Sequence, residues 1–157
     1  MTVETTVTTE PSSWRRSFVD LVCDFHRHLN QPAPALHDTA RGALEVTASI
    51  GGSAFSVIHA DPDDPEGRFL LQCRIGNVPT ENTGSALHHA LIANQGLART
   101  DAGMMALDVR SNELVYSAVH AIAEVSADAL LQAMRQVAEV ADQWRSIHPQ
   151  LHLRETA

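Results

Sequence analysis

Residues 87–144 read LHHALIANQGLARTDAGMMALDVRSNELVYSAVHAIAEVSADALLQAMRQVAEVADQW, and their patterning sets the second half of the fold. Leu87, Ala90 and Leu91, with Ile92 nearby, recur at helical spacing, which predicts a short helix within residues 80–97 closed by Gly96. Asp101-Ala102-Gly103 turns the chain into a strand through Met104 to Val109. Ser111-Asn112 is a hairpin signal, and residues 114–120 form the return strand. Ser126 offers a cap for a long helix in which Leu130, Met134, Val137, Ala141 and Trp144 keep the helical period. Pro149 bars its continuation.

Upstream, Trp14, Phe18, Leu21, Val22, Phe25 and Leu29 recur at steps of three and four, one apolar stripe on an amphipathic helix capped by Ser12 or Ser13. Two prolines in residues 30–38 end it. Leu44, Val46, Ala48 and Ile50 then alternate with polar residues, Gly51-Gly52 signals a hairpin, and residues 53–59 return. The run DPDDPEG at 61–67 reads as a solvated acidic turn, after which Phe69, Leu71, Cys73 and Ile75 alternate again. The expected order is helix, three strands, helix, two strands, helix: an α+β domain over residues 12–147 with an antiparallel sheet under packed helices. Residues 1–11 and 148–157 read as tails, the first disordered because it is polar and Thr-rich.

Composition narrows the function by exclusion. The 157 residues carry 19 acidic and 11 basic side chains, all of the latter Arg, for a formal net charge of −8. An acidic chain without a basic run repels phosphate backbones, which argues against nucleic acid as a partner. No apolar run approaches the ~20 residues that span a bilayer, and the N-terminus lacks the pattern of a signal peptide. Cys23 and Cys73 are too far apart in sequence for a metal or redox motif and read as reduced thiols of a soluble, cytoplasmic protein.

The candidate chemistry reduces to structural readings. Nine histidines invite a metal, yet His26 and His28 diverge around a helix, His88 and His89 do likewise, and none sits in a His-Glu-x-x-His or Cys-x-x-Cys frame. They are expected at the surface, with no metal site. Gly51-Gly52-Ser53 lacks the strand-to-helix context of a nucleophile elbow. Asp61, Asp63, Asp64 and Glu66 lack the register of a calcium loop. No catalytic residue, cofactor site or metal ligand set emerges.

The ordered set of elements in 87–144 resembles the class I type III secretion chaperone family (the Tir-chaperone, or CesT-like, group). Leu91 and Asn94 match its helix ending in Leu-x-x-Asn. Gly103 and Leu107-Asp108 match the glycine entering a strand with Leu-Asp. Leu114-Val115-Tyr116 opens the second strand, and residues 126–131 begin the last helix, which ends in Trp144. Ala121-Ile122-Ala123 departs from the family habit of a proline after the last strand. The resemblance covers residues 13–146 and implies a cytoplasmic homodimer without enzymatic activity. Such a protein binds the N-terminal region of a secreted effector, keeps it extended, and delivers it to an export apparatus, with an export ATPase as a further candidate partner.

On this reading the effector-binding residues are Trp14, Phe18, Leu21, Val22, Phe25, Phe55, Val57 and Ile58. The dimer surface is Ala86, Leu87, Ala90, Leu91, Leu114 and Tyr116. Two rivals remain: a regulatory binding domain of the same fold without an effector client, and a small metal-dependent enzyme using the histidines. Neighbouring effector genes distinguish the first, metal analysis of the purified protein the second.

Overall fold

The computed structural model describes residues 13–36, 42–60, 64–78, 81, 83–99 and 103–148. Residues 1–11 and 149–157 of the expected tails and Asp101-Ala102 therefore lie outside the described residues, as do Ser12, Asp61 and Asp63, whereas His148 is described and caps α3. The chain runs α1 (Ser13–His28), β1 (Leu44–Ile50), β2 (Ser53–His59), β3 (Arg68–Asn77), α2 (Thr83–Leu97), β4 (Met104–Asp108), β5 (Glu113–Ala121), a 3₁₀ turn (Ile122–Glu124) and α3 (Ala127–Ile147). This is the expected order, with the 3₁₀ turn occupying the place where the sequence lacks the customary proline.

One five-stranded antiparallel sheet holds the strands in the order β1-β2-β3-β5-β4. β1 and β2 pair from Leu44↔His59 to Ile50↔Ser53, and Gly51 and Gly52 take φ +58° and +78° between them. Both signs are those a two-residue turn needs to match strand twist. β3 pairs β5 with a bulge between Arg74 and Gly76, so Ile75 is an extra residue on β3.

Strand alternation sends Leu44, Val46, Phe55, Val57, Phe69, Leu71 and Cys73 to one face. α1 and α3 cover it. Phe18 stacks on His59 with ring centroids 5.4 Å apart and lies 6.1 Å from Phe69. Leu130, Leu131, Met134, Val137, Ala138 and Ala141 of α3 join the same core. Ser126 caps α3 as expected, accepting from the Ala129 N–H at 3.2 Å. At the other end Arg145 donates to Ile75 O at 3.2 Å and Ser53 Oγ at 2.8 Å, tying the last turn of α3 to the sheet.

Two local expectations change. The second helix runs through Gly96 to Leu97 rather than closing at the glycine. Asp64 is buried instead of solvated: its carboxylate accepts from the backbone N–H of Glu66 and Arg68 and from the Arg68 guanidinium, at 3.0–3.3 Å. Those bonds hold its carboxyl at about 2, well below the ordinary 3.8.

Candidate binding surface

The stripe expected to bind an effector closes the core. Phe18, Leu21, Val22, Phe25, Phe55 and Val57 are all buried inside one chain, because an amphipathic helix over a one-sided sheet has only one place to put its apolar face. In the single chain those six stand in the core rather than on an open face. Trp14 and Ile58 are half-buried and remain at the surface. Trp14 is fitted over Gly67, where a Cβ would fall 2.3 Å from the indole.

The residues expected at a dimer surface divide in the same way. Ala86, Ala90, Leu114 and Tyr116 are buried in the chain's own core. Leu87 is half-buried, and Leu91 is 69% exposed. Composition hid the distinction, since α2 is apolar on more than one side and its moment does not single out the buried stripe.

One patch of surface apolarity lies where β4 and β5 meet α2. Met104 is 58% and Val119 63% exposed. With Leu70, Asn94, Ala98, Gly103, Ser117 and Ala118 they line a groove of about 590 Å³. Leu91 and Asn94 lie at i and i+3 on α2, with Ala98 just past its end, so Leu91 is on the helix face that walls the groove. The signal was present in β5, whose Val115 and Val119 alternate with Leu114, Tyr116 and Ala118 and make it apolar on both faces. Beside the groove the outer sheet face turns polar: Arg74 donates from Nε to Glu113 Oε2 at 2.9 Å, with a second bond from Nη2 to Oε1, and Glu113 itself is buried.

The two edges of the sheet are treated differently. At β4, Asn94 reaches from α2 and makes both bonds that an added strand would make to Met105: Nδ2 donates to Met105 O at 2.9 Å, and Met105 N–H donates to Oδ1 at 2.6 Å. That edge is covered. At β1 no described strand pairs on the outer side, and Glu45, Thr47 and Ser49 are exposed along it.

Three histidines expected at the surface are buried: His26, His59 and His148. His59 Nδ1 donates to Arg68 O at 2.9 Å, while its Nε2 and both nitrogens of His26 have no hydrogen-bond partner. No three His, Cys, Asp or Glu among the described residues gather as a metal site would require. Burial pushes the Cys73 thiol up to about 11, which leaves it protonated and unreactive. No described helix is long and apolar enough to cross a membrane.

A five-stranded sheet with helices on one face, Asn94 bonding Met105 at one edge and the other edge unpaired among the described strands, makes a small α+β module. The sequence model of the Tir chaperone protein (CesT) family matches residues 21–145, and the chain belongs to that family. Solved structures share the fold. The HopA1–SchA chaperone–effector complex contains a chain 18% identical, at a TM-score of 0.60, with 83% of this chain and 94% of that one covered. The ExsC–ExsE complex matches at 12% identity and a TM-score of 0.68, covering 92% and 99%. The Yersinia pestis type III secretion chaperone SycH, in complex with a stable fragment of YscM2, matches at 12% and 0.59, covering 81% and 98%. No curated protein matched the sequence.

Proposed function

We propose that the chain is a homodimeric, cytoplasmic type III secretion chaperone. It binds the N-terminal region of a secreted effector, holds it extended and hands it to the export apparatus, without catalysis. Family membership supports the class of function. The observation that carries the binding mode is the contrast of edges: Asn94 satisfies β4, whereas β1 offers its outer N–H and C=O groups to an extended guest. Ordering a disordered client costs on the order of 2–5 kcal/mol. Apolar anchors at roughly 1.5–3 kcal/mol each offset that, and Ile58, on the outer face of the neighbouring β2, is placed to receive one.

The second copy is assigned to the α2–β4–β5 groove, with Leu91, Met104 and Val119 as its exposed apolar contacts. Co-expression followed by pull-down and mass spectrometry identifies the client. Hydrogen exchange on the purified complex then tests the site. Amides of residues 44–50 gain protection when the client is bound; unchanged exchange across β1 with the client present rejects edge binding.

A further inference from the structure

α2 buries only Ala86 and Ala90, so little apolar area holds it to the chain. Asn94 ties it to β4, and a stack of rings reaches it from the end of α3. His89 of α2 lies 4.9 Å from His148, centroid to centroid and tilted by 42°. His148 in turn stacks on Trp144 at 5.3 Å and 30°. His148 is buried and caps α3, its N–H donating to Trp144 O at 2.9 Å. His88 stands 6.1 Å from His89 on the same helix. From α3, Arg145 is turned away to Ile75, Ser53 and Asp142. Burial, and after it His89, are what act on His148.

We propose that the His89–His148 pair, backed by Trp144, is an acid-sensitive clasp that fixes the middle of α2 to the C-terminal end of α3 near neutral pH and opens when His148 takes up a proton. A neutral His148 ring packs in its buried place, whereas a charged one loses its solvation there. The negative end of the α3 dipole favours a charged His148, but burial and His89 outweigh it and draw His148 below its ordinary 6.5. The sign follows. A docked His148 resists a proton that a released one accepts, so the contribution of the clasp is complete above about pH 6.5 and falls as the pH drops through that value.

Hydrogen exchange of the whole chain at about pH 7.5 and about pH 5, corrected for intrinsic rates and run with chelator at two protein concentrations, reads the clasp directly. Protection of residues 83–97 should fall about tenfold at the acid pH while β2 and β3 keep theirs, independently of concentration. In His89→Gln, a change at an exposed position, the acid-dependent fall should shrink several-fold; His148→Gln should remove it. The idea is overturned if α2 protection is equal at both pH values, if His89→Gln leaves the fall intact, or if the fall depends on concentration. The last result would place the titration between copies rather than within one.

Discussion

Gly103 shows how much one position can carry. Its φ is +103°, and a Cβ there would lie 2.6 Å from Ser117 O and 2.7 Å from the Tyr116 hydroxyl. Both the backbone and the space require glycine at the entry to β4. Gly103→Ala should cost about 2–4 kcal/mol from strain and overpacking together, measured as a lower midpoint in urea. Asp64 makes a second residue-scale prediction. Its folded carboxyl titrates at about 2 against an ordinary 3.8, so the stability it contributes is complete above about pH 4 and is lost as pH falls towards 2. The gap in unfolding midpoint between the native chain and Asp64→Asn should therefore be constant from neutrality down to about pH 4 and close below it.

At the scale of elements, Asn94 makes α2 a cover for the β4 edge. Asn94→Ala leaves the backbone groups of the buried Met105 without their partners, at a cost of about 1–3 kcal/mol. Faster hydrogen exchange in both α2 and β4 would show the cover loosening; unchanged exchange would show that the two bonds contribute little. Order and type of the elements were legible because period-2 and period-3.6 patterns are local: Leu44–Val46–Ala48–Ile50 and Phe18–Val22–Phe25 each declare their own geometry. Which apolar face becomes core is not local. The α1 stripe had the density of a binding groove, and only the folded sheet shows it sharing one core with Phe55, Val57 and Phe69. The same limit hid Asn94, whose importance depends on a strand eleven residues away. Asp64 was misread because its partner, Arg68, becomes one only after the turn closes.

For the molecule as a whole, assembly through the exposed apolar groove is the decisive expectation. Light scattering should give about twice the 17.0 kDa chain mass. Leu91→Asp, at a position 69% exposed in a single chain, should leave the fold intact and halve that mass, since an unpaired charge buried at an interface costs several kcal/mol. A native chain that scatters as a monomer at micromolar concentration would remove the groove from consideration as a dimer surface. Bound and free states alike inherit one more property from the side chain that seals β4. Fibrillar growth by strand addition requires every unit to present two sticky rims, just as a chain of links requires two hooks on each. With Asn94 occupying one rim, any edge pairing through β1 would end after a single event, which makes this sheet a terminator of ribbon growth rather than a template for it.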